Sequence, residues 1–248
     1  MSGKLCIVPT PVGNLADMTP RAVETLRSAA LVLAEDTRTS AVLMKHFGIS
    51  TPMASHHKFN EHKSLDPILD RIAAGETIAL VSDAGTPGIS DPGFMLAREC
   101  RRRGLTVETL PGATAFVPAL VSSGLPCDRF FFEGFLPVKK GRASRLEFLA
   151  ALPVTFIIYE SPLRLAKTLA ALAEACGPDR PAAVVREISK MHETVARDTL
   201  SALAEFYSAN QPKGEIVIVV GGMERPDASE RRHKNKYRPD NDIQPSEL

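Results

Sequence analysis

The feature that most constrains the fold is a regular alternation of short, continuously apolar segments with amphipathic helical segments. The segments at 5–10 (LCIVPT), 31–36 (LVLAED) and 77–83 (TIALVSD) are mainly apolar along their length, and each is followed by residues with helical periodicity. Strands that are apolar on both faces are typical of a parallel sheet covered by helices on each side. We therefore predict an α/β fold, with a parallel sheet in the first half of the chain.

The alternation restarts after the turn-rich segment GLPCDR at 124–129. In the second half, two neighbouring strands are predicted at 181–188 and 193–200, and strands adjacent in sequence indicate a mixed sheet. The predicted organisation is an N-terminal α/β domain at 1–123, a C-terminal mixed α/β domain at 124–222 and a charged, disordered tail at 223–248.

Composition excludes several classes of protein. The chain has 248 residues, 44% of them hydrophobic, and a net charge of +1. Its four cysteines are scattered without CxxC spacing, which argues against a disulfide framework or a zinc site. No apolar run is long enough for a signal peptide or a membrane span. We expect a soluble cytoplasmic protein that does not contact a membrane.

Local clusters of positive charge are compatible with RNA as a partner. A charge run is usually a solvated face, so each cluster alone is weak evidence. The clusters are Arg98 with Arg101, Arg102 and Arg103; Lys139 with Lys140, Arg142 and Arg145; and the segment 230–238.

Three loops rich in glycine, proline and small residues follow predicted strands of the first half. They are TPVGN at 10–14, SDAGTPG at 82–88 and PGAT at 111–114. Parallel strands end at one edge of a sheet, where open α/β sheets bind ligands. Glycine allows the backbone to approach a ligand closely, and proline fixes the loop without bulk. Any one loop is more simply an ordinary turn, but three at one edge favour a shared ligand.

The residues exclude some ligands for these loops. There is no GxxxxGK[ST] and no GxGxxG, so neither a P-loop nucleotide site nor a dinucleotide fingerprint is supported. Asp83 and Asp91 are separated by glycine and proline without a nearby histidine, so we expect no metal. Backbone-lined loops with few cations suit a zwitterionic ligand with an amino-acid end.

Motifs spread over the chain as far as about Gly222 carry a family resemblance. In order, they are IVPTPVGNLADMTPRA, LAEDTRTS, HHKFNEHK, ALVSDAGTPGISDPG, PGATA, FEGFLP, YESPLR, REISKMHET and KGEIVIVV. Together they resemble the tetrapyrrole methylase-like (class III) superfamily. Within it they resemble the branch that methylates the 2′-oxygen of a cytidine in small-subunit (16S) ribosomal RNA.

The resemblance implies a two-domain homodimer that binds S-adenosylmethionine in the cleft between the domains. Its partner would be small-subunit ribosomal RNA or the assembled subunit. The positions that match the cofactor-binding motifs are Pro9, Gly13, Asp83, Ala84, Gly85, Thr86, Thr114, Ala115, Tyr159, Gly214 and Glu215.

Methyl transfer to a ribose hydroxyl requires alignment of three atoms and removal of the hydroxyl proton. A carboxylate, a neutral lysine or a histidine would accept that proton, and a cation would steady the developing alkoxide. The catalytic candidates in the branch-specific motifs are Asp36, Arg38, Asn60, Glu61, Lys190 and Glu193. We favour Lys190 with Glu193, in a loop expected to overhang the cleft. Each candidate has a structural alternative; Asp36 and Arg38, for example, would form a buried pair.

Two other functions remain open at this point. A methyltransferase of the same fold can act on a precorrin-type tetrapyrrole, and fold alone does not separate the two substrates. A non-catalytic RNA-binding assembly module with a retained cofactor pocket is the other alternative.

Overall fold

A computed structural model describes residues 3–57 and 61–223 of the chain. The first half contains a sheet in the order β3-β2-β4-β1-β5, in which every pairing is parallel. Its strands are β1 (Lys4–Ile7), β2 (Leu31–Ala34), β3 (Met53–Ser55), β4 (Thr77–Val81) and β5 (Thr106–Thr109). The helices that connect them are α1 (Pro20–Ser28), α2 (Thr37–His46), α3 (Glu61–Ala73) and α4 (Phe94–Arg102).

Helices cover both faces of this sheet, as the apolar runs predict. Cys6 packs in one core and its neighbours Leu5 and Ile7 pack in the other, on the opposite face. The residues TP at 19–20 are typical of a helix start, and α1 begins there. Thr19 accepts a hydrogen bond from the Ala22 backbone N–H at 3.1 Å, and Pro20 occupies the first helical position.

The second half forms a mixed sheet in the order β6-β7-β10-β8-β9. Strands β6 and β7 are parallel and the other pairings are antiparallel, so the mixed sheet is confirmed. The strands are β6 (Phe130–Phe135), β7 (Thr155–Glu160), β8 (Pro181–Arg186), β9 (Thr194–Thr199) and β10 (Ile216–Val220). The helices in this region are α5 (Phe116–Ser123), α6 (Arg142–Ala150), α7 (Leu165–Cys176) and α8 (Leu200–Ala209).

Helix α5 joins the two sheets. It lies in the first predicted domain, but its buried residues Ala119 and Leu120 pack in one core with Val185 and Val217 of the second sheet. Val12, from the loop after β1, belongs to the same core. The two sheets therefore share a packed boundary, and the carboxyl edge of the first sheet faces the second.

Two helices begin later than their sequence patterns predict. Helix α4 begins at Phe94 rather than near Ser90, because Ser90 adopts a left-handed φ of 66° and residues 90–93 form a turn. The pattern of SPLRLAKTLAALAEACG predicts a helix from Ser161, whereas helix α7 begins at Leu165. Within the ranges that the structure describes, no helix is long and apolar enough to cross a membrane.

Candidate active site

The three glycine-containing loops form one connected surface at the carboxyl edge of the first sheet. Thr10 and Gly85 exchange backbone hydrogen bonds of 2.8 and 2.9 Å, and the Thr10 hydroxyl donates to the Ser82 carbonyl at 3.1 Å. The Thr86 hydroxyl donates to the Ala113 carbonyl at 3.0 Å. Each loop is therefore held by another, as expected for loops that serve a shared ligand.

The conformation at Gly85 requires glycine for a specific reason. Its φ is 79°, which is in the left-handed region that disfavours side chains. A Cβ placed there would meet Val12 Cγ1 at 3.5 Å and the Ala113 oxygen at 3.7 Å, and both are ordinary contacts. The backbone angle, rather than lack of space at the first carbon, is what restricts this position.

A cavity of 490 Å³ lies between this edge and the second sheet. Its volume is in the range of small-molecule sites. Most of the predicted cofactor-binding residues line it: Asp83, Ala84, Gly85, Thr86, Thr114, Ala115, Tyr159, Gly214 and Glu215. The cavity thus brings together motif residues from both halves of the chain.

Two predicted cofactor-binding residues do not line the cavity. Gly13 lies beneath Lys190, since a Cβ at Gly13 would be 2.4 Å from Lys190 Cγ. Pro9 packs against Gly112, where a Cβ would lie 2.6 Å from Pro9 Cβ. From the first loop it is Val12 that lines the cavity.

Sequence reasoning missed several lining residues that lie within the motifs it had identified. Ile89, Ser90 and Asp91 continue the SDAGTPG loop, and Phe135 belongs to FEGFLP. The position of these residues in a long loop after a buried strand indicates that they lie near the cavity. The sequence does not show which of their side chains face the cavity, because that depends on the turn at Ser90.

The cavity combines apolar surface with carboxylates. Val12, Ile188 and Ile216 supply apolar wall. The carboxylates are Glu35, Asp83, Asp91, Glu160 and Glu215, and no lysine, arginine or histidine is among the described residues that line the cavity. This arrangement favours a ligand with positive charge and an apolar ring.

Asp91 is the carboxylate whose protonation is most altered. Burial, followed by the negative charges of Glu35 and Asp83, raises its pKa to about 6, although a hydrogen bond with Ser82 opposes this shift. Tyr159 is also affected, since burial raises the pKa of its phenol to about 12. At neutral pH the tyrosine is therefore protonated, and Asp91 lies close to its titration point.

Glu160 is held by a buried network that shapes the YESP turn. Its two oxygens accept hydrogen bonds from the Ser161 backbone N–H at 2.7 Å and from the Thr168 hydroxyl at 2.6 Å, and Arg164 pairs with it at 2.7 Å. The Thr168 hydroxyl in turn accepts from Arg142 at 2.9 Å. These contacts assign Glu160 a structural role in the cavity wall.

The favoured catalytic pair, Lys190 and Glu193, is not a pair in the structure, and neither residue lines the cavity. The Lys190 ammonium donates to Glu187 at 2.9 Å and pairs with Glu215 at 3.1 Å. Glu193 instead accepts from the Ser189 backbone N–H at 2.7 Å. Burial lowers the pKa of Lys190, but its bonds to Glu187 and Glu215 outweigh this and raise it overall. Lys190 therefore remains a cation and is not the neutral base considered from the sequence.

Asp36 and Arg38 form the expected pair, at 2.7 Å, but the pair is not buried, because 90% of the Arg38 side chain is exposed. Asp36 also caps α2 by accepting from the Arg38 backbone N–H at 2.8 Å. The hydrogen bonds from Arg38 lower the pKa of Asp36 to about 2, so it stays ionised and is a poor proton acceptor. Asn60 lies outside the described residues.

A second cavity, of 330 Å³, adjoins the first. Glu35, Ser90 and Asp91 line both cavities, and Glu61 lines only the second. Of the catalytic candidates within the described ranges, Glu61 is the one that reaches either cavity. Phe94 and Met95, at the start of α4, also line the second cavity.

The basic clusters are largely engaged within the protein. Arg103 pairs with Asp66 and Asp70, and Arg145 donates to both oxygens of the nearly buried Glu133. The exposed Lys139 and Lys140 make no ion pair with the described residues, and the segment 230–238 lies outside them. Arg98 and Arg102 both pair with Glu99, so the unpaired basic surface is smaller than the sequence indicates.

Comparison with known proteins places the fold. Residues 4–204 match the family model for tetrapyrrole (corrin/porphyrin) methylases. The uroporphyrin-III C-methyltransferase of Thermus thermophilus superposes with a TM-score of 0.62 at 21% identity, over 88% of this chain and 94% of that one. A diphthine synthase superposes with a TM-score of 0.68 at 15% identity, over 88% and 90%. The chain belongs to the tetrapyrrole methylase family, and the predicted fold class is confirmed.

Closer relatives define the branch within this family. A ribosomal RNA small subunit methyltransferase I of Synechocystis sp. is 47% identical over 240 residues, covering 95% of this chain and 86% of the relative. The proteins of the same name from Pseudomonas aeruginosa and Escherichia coli O157:H7 are 47% and 45% identical, over 92% and 89% of this chain and 82% and 78% of their own lengths. The chain belongs to the ribosomal RNA small subunit methyltransferase I branch and is a methyltransferase that uses S-adenosylmethionine.

Proposed function

We propose that this protein methylates the 2′-oxygen of a cytidine in small-subunit ribosomal RNA, with S-adenosylmethionine in the 490 Å³ cavity. The observation that carries the proposal is the convergence of motif residues from both halves on one cavity. The branch relatives, which are named for small-subunit ribosomal RNA, support the RNA substrate.

The residues fit S-adenosylmethionine in charge and in shape. Bound there, the cofactor supplies a methyl group activated by attachment to a positively charged sulfur. Asp83 and Glu215 provide negative charge on opposite walls, which favours a cationic donor over its neutral product. Ile188 and Ile216 offer an apolar surface for an adenine ring, and the backbone N–H groups of Ala84 and Thr86 offer hydrogen bonds.

The chain's contribution to the reaction is therefore positioning and proton removal. The linked loops hold their geometry before a ligand binds, which reduces the entropic cost of alignment. A carboxylate beside the cavity is available for the hydroxyl proton, whereas the lowered pKa of Asp36 makes it a weak base and the raised pKa of Lys190 keeps it protonated.

Several finer assignments belong to the same proposal. The partner is naked ribosomal RNA or the assembled small subunit, and the location is the cytoplasm. The protein acts as a homodimer, consistent with the exposure of Leu163 and Met191 (77% and 93%) beside the cavity motifs. The domain division at 123/124 also remains our proposal, supported by two sheets that share no strand.

One experiment tests the reaction and its substrate. The protein is incubated with methyl-labelled S-adenosylmethionine and, in separate arms, naked small-subunit RNA, assembled subunits or a uroporphyrinogen. We expect label on one cytidine ribose, located by mass spectrometry of nuclease fragments. Label on the tetrapyrrole alone would establish the alternative substrate, and cofactor binding without transfer in any arm would favour a non-catalytic module.

A further inference from the structure

We propose that the 330 Å³ cavity receives the target nucleoside, with Asp91 as the residue that accepts the ribose hydroxyl proton and Phe94 as the stacking surface for its base. This inference rests on the proposed function, because it assigns the acceptor side of the same reaction. It commits to one ligand class, an unpaired nucleoside of an RNA strand.

The two cavities are in contact with each other. Methyl transfer requires the accepting oxygen to lie directly against the donor, so the acceptor site must open onto the donor cavity. The second cavity meets this condition, since Glu35, Ser90 and Asp91 form a wall of both. The carboxyl group of Asp91 is therefore placed where donor and acceptor would meet.

An unusual backbone conformation positions Asp91. Ser90 has a φ of 66°, which is unfavourable for a residue with a side chain. Strained residues of this kind cluster at functional sites, where the surrounding structure maintains them. Here the strain turns the chain before α4 and leaves Asp91 half-buried between the cavities. An aspartate that only capped the loop would not need to be half-buried between two cavities.

The titratable groups around Asp91 are mainly carboxylates. Glu35 follows β2, Asp83 follows β4, and Tyr159 of β7 lies on the other side of the first cavity. Glu61, at the start of α3, lines the second cavity. No described cation acts on Asp91, so its carboxylate keeps the basicity that proton removal requires.

An exposed aromatic ring lines the second cavity. Phe94 lines it while remaining 64% exposed, and the Arg98 guanidinium lies 5.4 Å from the centre of its ring. Proteins bind unpaired RNA bases by stacking them on aromatic rings and arginine planes. An exposed phenylalanine that lines the cavity beside an arginine suits a base, and the positive charge of Arg98 suits a flanking phosphate.

The step balances with the residues named. The oxygen–hydrogen bond of the ribose hydroxyl breaks as its proton passes to a carboxylate oxygen of Asp91. The oxygen forms its bond to the methyl carbon, and the carbon–sulfur bond breaks with its electron pair left on sulfur. Solvent then takes the proton from Asp91, whose pKa of about 6 allows release at neutral pH.

The test compares five variants with wild type in the methylation of assembled subunits, by single-turnover kinetics for the transfer rate and by steady-state kinetics for KM and kcat. Asp91→Asn, Phe94→Ala and Phe94→Tyr probe the site, and Asp128→Asn and Phe206→Ala are controls at exposed positions outside both cavities. Cofactor affinity is measured separately by calorimetry with S-adenosylhomocysteine. Circular dichroism checks that each variant folds.

For Asp91→Asn we expect a fall of about 100-fold or more in the transfer rate, typical of a lost general base. Affinity for S-adenosylhomocysteine should stay within about two-fold, and the rise of the wild-type rate through pH 6 should disappear. For Phe94→Ala we expect KM for the subunit to rise about 5- to 100-fold with kcat nearly unchanged, because one stacked base is lost. Phe94→Tyr should restore the wild-type KM.

Distinct results separate the two proposals. If wild type transfers no label to RNA, the proposed function fails and this inference fails with it. If wild type is active and Asp91→Asn matches Asp128→Asn, or loses affinity in proportion to rate, the assignment of Asp91 is overturned while the function stands. A KM unchanged by Phe94→Ala overturns the nucleoside cavity.

Discussion

Asp91 should make the folded protein less stable above pH 6 than it would be with a neutral residue at that position. Its pKa is raised from 3.8 to about 6, so the folded state holds a proton that the unfolded chain has lost between those values. Stability therefore falls as the pH rises from about 4 to about 6 and changes no further above that. Asparagine cannot ionise, so Asp91→Asn removes this dependence.

The magnitude follows from the size of the shift. About two pKa units correspond to about 3 kcal/mol. Asp91 is only half-buried, and solvent screening reduces the expected effect to about 1–2 kcal/mol. We thus expect Asp91→Asn to be more stable than wild type by about 1–2 kcal/mol at pH 8 and nearly equal to it at pH 4.

Urea denaturation at steps from pH 4 to pH 8 measures this difference. Asp128→Asn is the matched control, because Asp128 is 81% exposed and should give a nearly flat difference across the same range. A difference for Asp91→Asn that does not change with pH, or that favours wild type at pH 8, would refute the reasoning. Confirmation would identify a residue that lowers stability, as functional residues often do.

Three further predictions follow from the contacts described. Lys190→Ala should weaken cofactor binding in calorimetry by up to about 5-fold, because Lys190 holds Glu215 of the cavity wall through an ion pair, and such a pair contributes up to about 1 kcal/mol. An affinity equal to that of the wild type would contradict this prediction. Gly85→Val should weaken cofactor binding in calorimetry by about 5- to 30-fold, because a β-branched residue is strained by about 1–2 kcal/mol at a φ of 79° and the loop relieves this strain by leaving its binding conformation. Undiminished binding would contradict this prediction. Thr168→Val should cost about 1–3 kcal/mol in urea denaturation, because Glu160 and Arg142 both lose a partner; an unchanged midpoint would argue against this network.

Much of the fold was predictable because its signals are local. Strands β1, β2 and β4 of the first sheet are apolar runs ended by a turn, and Thr19 with Pro20 marks the start of α1. The motif loops then converge, because parallel strands end at a common edge. The mixed second sheet was predictable from two adjacent strands.

The remaining features depend on contacts between distant parts of the chain. Asp91 owes its raised pKa to burial and to Glu35 and Asp83, which follow two other strands. Lys190 was matched with Glu193 by proximity in sequence, but Glu215 reaches it from the segment before β10. Helix α5 packs on the second sheet because of tertiary contacts that periodicity does not encode.

The reciprocal hydrogen bonds between Thr10 and Gly85 have a consequence for how the spent donor leaves. A wall assembled by its own backbone offers a preformed surface, so an arriving ligand loses little affinity to loop ordering. The same wall cannot swing open without breaking those bonds. We therefore expect exchange of used for fresh donor to leave this wall in place, so that it presents the same surface to each arriving molecule.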